Sequence, residues 1–193
     1  GGQTFYYYDK KGRLISQAIR QSTGVVWLTQ DYVYTAFDSI YTKTDAVGNT
    51  TTHTYDGAGN VIKTVDVRGN VTQYAYDDAG RLITKQVPVE TADGETRYRT
   101  EQYTYDAAGN VVSQSLSGAS ETTRTTLYGY TNGQLTSMTT NAGQETLYAY
   151  DDAGRQIETK VLREDAAYDV TKTEYDKYDR VTATVNMLSA GSA

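Results

Sequence analysis

The feature that most constrains the fold of this chain is a short unit, Asp-x-x-Gly followed by Arg or Asn, which recurs seven times in 193 residues. Repetition at short intervals is typical of arrays in which each copy is one small unit that packs on its neighbours. The repeated aspartate and glycine are Asp9 and Gly12, Asp45 and Gly48, Asp56 and Gly59, Asp66 and Gly69, Asp77 and Gly80, Asp106 and Gly109, and Asp151 and Gly154. The sequence therefore predicts a repeated fold.

Each unit has the residues of a tight turn between two strands. Asp at the first position of a type I turn bonds nearby backbone amides, and Gly at the fourth position takes the left-handed conformation that makes a β-bulge. The loop is then three residues long. This register predicts aromatic–aliphatic pairs across the hairpins, namely Tyr8 with Leu14, Tyr55 with Val61, Tyr76 with Leu82, and Tyr105 with Val111.

A variant unit supports the same register. In the segment that runs from Tyr130 to Leu135 one residue is missing, but the segment contains Asn132 and Gly133, the signature of a two-residue hairpin loop. The shorter loop still brings Tyr130 opposite Leu135. A turn that changes type and keeps the pair indicates that hairpin pairing organises the sequence.

The residues between the turns predict strands. The chain has nineteen tyrosines and one proline, and tyrosine suits a half-buried pleated surface. Tyrosines two residues apart, such as Tyr74 and Tyr76, share one face of a strand. Between the glycines at 48, 59, 69 and 80 the spacing is ten or eleven residues, which leaves strands of about six residues. We predict an all-β meander of antiparallel hairpins.

Two regions are less regular, and they set the predicted domain boundaries. Residues 14–44 form an irregular insert or a degenerate repeat, in which Phe37-Asp38 resembles a unit without its glycine. Near the C-terminus, Asp179 stands where the unit of Asp176 would have glycine. We assign residues 1–188 to one repeat array, expect a further turn at Ala92-Asp93-Gly94, and expect 189–193 to be a disordered tail.

The strings Tyr-Asp-Gly-Ala-Gly-Asn at 55–60, Tyr-Asp-Asp-Ala-Gly-Arg-Leu at 76–82 and Tyr-Asp-Ala-Ala-Gly-Asn-Val at 105–111 resemble the RHS, or YD-repeat, family. The resemblance covers nearly the whole chain. The family includes bacterial polymorphic toxins, the C component of Tc toxins and animal teneurins. It implies a hairpin ribbon that curves and spirals into a hollow shell, which in the toxins encloses a C-terminal polypeptide.

The resemblance also implies a role, a location and partners. We expect a non-catalytic wall segment of a secreted or surface-delivered bacterial protein, cut from a longer chain. Its partners would be the remainder of the same polypeptide and its cargo. The aspartyl self-cleavage segment and the toxin that often follow the shell in this family are not found in the sequence. Terminal strands could also pair edge to edge with another copy.

Composition and charge exclude several other functions. The net charge is −6 and Lys and Arg form no cluster, which argues against a nucleic-acid partner. The chain has no cysteine, so thiol catalysis and thiolate metal sites are excluded. No apolar run is long enough to span a membrane, and the first residues lack the pattern of a signal peptide.

Candidate reactive residues have simpler structural interpretations. His53, the single histidine, takes the place of the first tyrosine of a pair, which favours a strand residue over a general base. The carboxylate pairs Asp77-Asp78 and Asp151-Asp152 are explained by the turn more simply than by calcium or glycoside hydrolysis. We predict no catalytic residue, metal or cofactor. The rival hypothesis is a cell-surface module whose tyrosines bind carbohydrate or protein.

Overall fold

The computed structural model describes residues 2–20, 26–92, 95–118 and 121–189. The described residues form sixteen β-strands and no helix. In chain order the strands are β1 Gln3–Tyr8, β2 Leu14–Arg20, β3 Val26–Tyr34, β4 Ile40–Thr44, β5 Thr50–Tyr55, β6 Val61–Val65, β7 Val71–Tyr76, β8 Leu82–Ala92, β9 Glu95–Tyr105, β10 Val111–Gly118, β11 Glu121–Thr131, β12 Gln134–Thr140, β13 Glu145–Tyr150, β14 Gln156–Leu162, β15 Tyr168–Tyr175 and β16 Val181–Ser189.

Strand order follows chain order, and each described pairing is antiparallel. This confirms the predicted all-β fold of hairpin repeats. The chain divides into two compact units, Gly1–Arg99 and Thr100–Ala193. The first contains β1 to β8, the second contains β10 to β16, and β9 crosses the boundary. Because short hairpin connections join consecutive strands, each strand pairs with the one just before it, and the result is a meander.

The interior of the sheet is thin. Among the described residues only Ala18, Ala167, Val170 and Thr146 are buried. The side chains alternate along the strands, as in β7, where Tyr74 and Tyr76 are half-buried while Gln73 and Ala75 are exposed. One face therefore carries rows of half-covered aromatic rings. Backbone ladders and these rows stabilise the array, because no thick apolar core is present in the described part.

The less regular regions also contain strands. Within 14–44 lie β2, β3 and β4, paired as in the rest of the meander, while residues 21–25 lie outside the described residues. At the C-terminus β16 ends at Ser189, and the remainder of the predicted tail lies outside the described residues. The predicted turn at Ala92-Asp93-Gly94 falls between β8 and β9, and its Asp93 and Gly94 also lie outside them.

No helix long and apolar enough to cross a membrane occurs in the stretches that the structure describes.

Candidate functional site

The repeated turns share one backbone geometry. In the turn of Asp77, the N–H of Asp77 donates to the carbonyl of Arg81 over 2.9 Å, and the N–H of Gly80 donates to the carbonyl of Asp77 over 2.9 Å. Gly80 has a φ of 76°, which an L-residue adopts only with strain. The same two bonds close the turns that begin at Asp9, Thr35, Asp45, Asp56, Asp66, Asp77, Asp106, Thr140, Asp151, Arg163 and Asp176.

The aspartate side chain is bonded on both oxygens. In the turn of Asp56, Oδ1 accepts the backbone N–H groups of Ala58 and Asn60 over 2.9 and 2.8 Å. Oδ2 accepts the side-chain amide of Asn60 over 3.0 Å. In the turn of Asp77 the Nε of Arg81 makes the corresponding bond over 2.7 Å. The side chains of Asn and Arg can both place an N–H group within hydrogen-bond distance of the aspartate Oδ2. This explains why the residue after the glycine is Arg or Asn.

These bonds favour the ionised carboxylate. Hydrogen bonds to a charged form lower the pKa of an acid. The side-chain hydrogen bond from Asn60 is the largest cause that lowers the pKa of Asp56 below its ordinary value, and the backbone bond of Arg81 is the largest for Asp77. The pKa is also lowered at Asp9, Asp45, Asp66, Asp106, Asp151 and Asp176, where the side chain four residues on is the largest cause.

The structure places the predicted aromatic–aliphatic residues opposite one another. The register joins Tyr8 with Leu14, Tyr55 with Val61, Tyr76 with Leu82, Tyr105 with Val111, and Tyr130 with Leu135. The register shifts at each of these tyrosines, as a bulge requires. In the last hairpin Asn132 and Gly133 have φ values of 53° and 78°. Positive φ at both positions is the two-residue type I′ loop.

The tyrosines before the turns also link successive hairpins. Tyr55 donates its hydroxyl to the carbonyl of Ile40 over 2.6 Å, and Ile40 is the residue that faces Tyr34 in the preceding hairpin. We call this set of bonds the tyrosine ladder. Its described members are Tyr34 to Leu14, Tyr55 to Ile40, Tyr76 to Val61, Tyr150 to Leu135, and Tyr175 to Gln156. Each bond fixes one hairpin against the next without a large core.

Arginine after a turn reaches the following hairpin. The guanidinium of Arg155 lies 4.9 Å from the ring centroid of Tyr175, a cation–π contact, and its Nη1 lies 2.8 Å from Oδ1 of Asp179. Asp179 occupies the glycine position with a φ of 62°. Arg13 relates in the same way to Tyr34, at 4.6 Å, and to Asp38, whose φ is 64°. Asp therefore replaces left-handed glycine twice where an arginine of the preceding hairpin faces it.

Three of these turns do not begin with Asp, so the sequence motif did not locate them. The first begins at Thr35, so Asp38 is the fourth residue of the turn and not the first, as the predicted Phe37-Asp38 unit implied. Oγ1 of Thr35 accepts the N–H groups of Phe37 and Ser39. The second begins at Thr140 and has Gly143 in the left-handed position. Threonine lacks the carboxylate of Asp but supplies one acceptor. A lone Gly143 was the signal for the second turn.

The third turn that does not begin with Asp starts at Arg163 and has Ala166 in the left-handed conformation at a φ of 60°. Neither residue type signals a turn, and a left-handed alanine is uncommon. Arg163 forms ion pairs with Asp165 and Asp169 over 3.2 and 3.6 Å. The sequence alone carried no sign of this turn.

The residues considered for catalysis are spread along the strands and turns. His53 lies on β5, where its Nδ1 is 3.1 Å from Oγ1 of Thr64. Asp77 and Asp151 are bonded within their turns, whereas Asp78 and Asp152 are exposed. Among the described residues no group of three or more His, Asp or Glu side chains is placed to hold a metal ion.

One groove of about 560 Å³ lies beside two turns of the first unit. Phe37, with 91% of its surface exposed, and Tyr41 contribute aromatic surface. His53, Tyr55 and Ala58 also line the groove, which is more apolar than polar. Apolar clefts with a few polar groups are typical of small-ligand sites.

Comparison with known proteins identifies the repeat. The family model described as RHS Repeat matches residues 42–71, 55–96 and 130–167. A search of curated proteins finds no match. Among solved structures, the crystal structure of TcdB2-TccC3-TEV aligns with a TM-score of 0.53 at 17% identity, over 95% of this chain and 11% of that chain. This likeness shows a shared fold.

A second similar structure is the Photorhabdus luminescens Tc holotoxin pore, with a TM-score of 0.49 at 14% identity. The alignment covers 97% of this chain and 13% of that chain. This chain thus spans a small part of the length of these two structures.

Proposed function

Because this chain belongs to the RHS-repeat family, we propose that it is a non-catalytic wall segment of a shell that encloses a C-terminal toxin or another polypeptide cargo. The chain itself is a structural RHS segment. Enclosure is a steric function, since a continuous sheet would separate a cargo from proteases and from solvent. The proposed partners are the remainder of the same polypeptide and its cargo.

The observation that supports this proposal is the tyrosine ladder. A wall must join each hairpin firmly to the next, and the described hydroxyl–carbonyl bonds do this at regular steps, for example from Tyr55 to Ile40 and from Tyr76 to Val61. The thin interior has the same implication. Hairpins that bury so little alone depend on their neighbours, which favours an extended sheet over independent modules.

The proposed location is outside the cytoplasm of a bacterium, in a secreted protein or one delivered to the cell surface. Enclosing a toxin or another cargo is useful when the whole protein must travel before the cargo is released. Detection of the full-length protein in culture medium or on intact cells tests this location.

Protease protection of the cargo tests the function. In the full-length RHS protein, replacing Gly59 and Gly109, whose φ values are 90° and 91°, by valine distorts two turns of the wall. We expect the cargo to become sensitive to added protease, while the isolated cargo keeps its activity. The control is Gly57→Ala, because Gly57 has no positive φ and no atom within 4 Å of an added Cβ. A cargo equally protected in both variants would contradict the proposal.

A binding module is the second candidate, and the groove beside Phe37 and Tyr41 favours it. Exposed aromatic rings can stack on sugar rings or on apolar side chains. A glycan array and a binding screen with the 193-residue chain test this function. Saturable binding that Phe37→Ala and Tyr41→Ala abolish, with Tyr178→Ala as the control at another exposed turn, would favour it over the wall. No binding would leave the wall as the single candidate.

A further inference from the structure

The groove beside Phe37 and Tyr41 lies between two successive hairpins of the first unit. Phe37 and Tyr41 belong to the hairpin of β3 and β4, whereas His53 and Tyr55 belong to the hairpin of β5 and β6. β4 and β5 are neighbours in the sheet. Four side chains with aromatic rings therefore line one groove of about 560 Å³.

Tyr41 is the first of three residues in this groove that depart from the repeat. The pairing of β3 with β4 skips Tyr41, which lies at the bulge. In the other hairpins with the same bulge the skipped residue is aliphatic or threonine: Ile15, Ile62, Ile83, Val112, Thr136, Ile157 and Thr182. Tyr41 thus places an aromatic ring at a position where those hairpins have none.

His53 and Phe37 are the second and third departures. His53 replaces the first tyrosine of a pair, a position that is otherwise tyrosine except at Thr173. Phe37 is the third residue of its turn and is 91% exposed, whereas four other turns have alanine there, at Ala58, Ala79, Ala108 and Ala153. Local choices in a well-specified fold agree with one another except where function intervenes. Three departures that meet at one groove therefore indicate a binding site.

The charge of the groove limits what it can bind. Of the described residues that line it, Asp56 is the single carboxylate and none is lysine or arginine. The hydrogen bond from the side chain of Asn60 is the largest cause that lowers the pKa of Asp56, so this carboxylate is ionised near neutral pH. Its Oδ1 already accepts two N–H groups and its Oδ2 accepts one. Asp56 thus supplies negative charge and little remaining capacity to accept a hydrogen bond.

The aromatic rings of the groove have no cation of their own. Elsewhere in the same unit, Arg13 lies over the ring of Tyr34 and Lys43 over the ring of Tyr32. Within the described part of the chain, no lysine or arginine lies over Phe37, Tyr41 or Tyr55. Because the face of an aromatic ring attracts positive charge, these rings are open to a cation that comes from a ligand.

We propose that this groove binds a quaternary ammonium group, such as the trimethylammonium group of choline. Such a group is positively charged but has no N–H, so it suits aromatic rings beside a carboxylate whose oxygens are already bonded. A primary amine would need acceptors that Asp56 does not offer, and an anion would meet its charge. The inference rests on the second candidate function, because it names the ligand class of that groove.

A ligand-observed NMR titration of the 193-residue chain tests the ligand class. The probes are choline, its neutral analogue in which a carbon atom replaces the nitrogen, and glucose, all at one ionic strength. We expect saturable millimolar binding of choline, at least about 3-fold tighter than binding of the neutral analogue, because the two differ in charge and not in shape. Equal affinity for both, or no binding of choline, would overturn the proposal.

The same titration separates this proposal from the function on which it rests. Binding of glucose without choline would refute the quaternary ammonium site and retain the binding module, whereas binding of no probe would count against both. Cosedimentation with vesicles then identifies the source of the group. Binding to phosphatidylcholine but not to phosphatidylglycerol vesicles would assign a lipid head group, and binding of free choline alone would assign a soluble ligand. Either result supports the proposal.

Two substitutions that restore the repeat test the residues. Phe37→Ala and Tyr41→Ile introduce the residues that other repeats have at these positions, so circular dichroism should show an unchanged fold. Each should weaken choline binding roughly 2- to 5-fold through loss of a cation–π contact, whereas Tyr41→Phe keeps the ring and the affinity. Val47→Ala, at another exposed turn, is the control. Unchanged affinity in both Phe37→Ala and Tyr41→Ile would contradict the proposal.

Discussion

The hydroxyl of Tyr76 donates a hydrogen bond to the main-chain carbonyl of Val61 over 3.0 Å. Val61 is also the residue that faces Tyr55 across the preceding hairpin. One carbonyl thus connects the aromatic pair of one hairpin with the tyrosine of the next. In an array with a thin interior, such links couple the stability of neighbouring hairpins.

Removing one ladder hydroxyl should lower stability by a measurable amount. We expect Tyr76→Phe to reduce the free energy of unfolding by about 0.5–1.5 kcal/mol, because a half-buried hydrogen bond is lost while the ring remains. Tyr74→Phe, on the same face of the same strand, is the control, and it should have a smaller effect because no bond of its hydroxyl is described. Urea unfolding followed by circular dichroism measures both. Equal effects of the two substitutions would show that the ladder does not stabilise the array.

The turn of Asp56 contains two glycines with opposite requirements. Gly59 has a φ of 90°, whereas Gly57 does not have a positive φ, and an added Cβ meets no atom within 4 Å at either position. Gly59→Ala should therefore destabilise by about 1–2 kcal/mol through backbone strain alone. Gly57→Ala should be neutral or stabilise by up to about 1 kcal/mol, since it restricts the unfolded chain. Thermal unfolding decides, and similar melting temperatures for the two variants would refute the assigned turn geometry.

The turn aspartates predict loss of stability in acid. Their pKa values are lowered in the folded protein, first by side-chain hydrogen bonds from Asn or Arg in most turns, as in Asp56 and Asp151. A lowered folded pKa means that the stabilisation is complete above the ordinary value of 3.8 and is lost as the pH falls through the folded pKa. Urea midpoints should thus be level near neutral pH and decrease below about pH 4.

A variant separates this effect from general acid denaturation. Combined Asp56→Asn and Asp66→Asn removes two of the titrating carboxylates and keeps an acceptor oxygen in each turn. The variant should be less stable than the natural chain at pH 7, and its urea midpoint should decrease less between pH 5 and pH 2. A midpoint that rises on acidification would contradict the predicted sign.

Turn chemistry made much of the fold predictable from the sequence. Because Gly tolerates positive φ and Asp bonds the backbone of its own turn, Asp77 and Gly80 located a reversal without knowledge of any distant contact. The pairing of Tyr76 with Leu82 then followed from the loop length. Local rules of this kind fail where another residue takes the same role, as Thr35 does with its hydroxyl and Ala166 does in a left-handed conformation.

Contacts between hairpins were not predictable in this way. The bond from Tyr55 to Ile40 joins residues fifteen positions apart, and no local preference of either residue specifies a hydroxyl–carbonyl contact. The ion pair of Arg155 with Asp179 is also a contact between two hairpins. It accounts for Asp at position 179, where most of the other turns have a left-handed glycine, through a residue of a different turn. Such relations depend on how strands stack side by side, so they become visible in the structure.

A close approach between β11 and β12 gives the last prediction. Gly129 faces Ser137, and a Cβ added to Gly129 would lie too close to Oγ of Ser137. The corresponding position in two other hairpins is alanine, at Ala75 opposite Thr84 and at Ala149 opposite Glu158. Glycine at 129 is therefore required by this serine and not by the hairpin itself.

Gly129→Ala should lower the free energy of unfolding by about 1 kcal/mol. This is at the low end of the cost of overpacking, because the side chain of Ser137 can rotate away. The double variant Gly129→Ala with Ser137→Ala should recover most of that loss, because the remaining neighbour is Cβ of Ser137 at 3.6 Å, an ordinary van der Waals distance. Ser137→Ala alone is the control and should change stability little. Urea unfolding of the four proteins gives the coupling free energy, and additive effects would show that the clash does not determine the residue at 129.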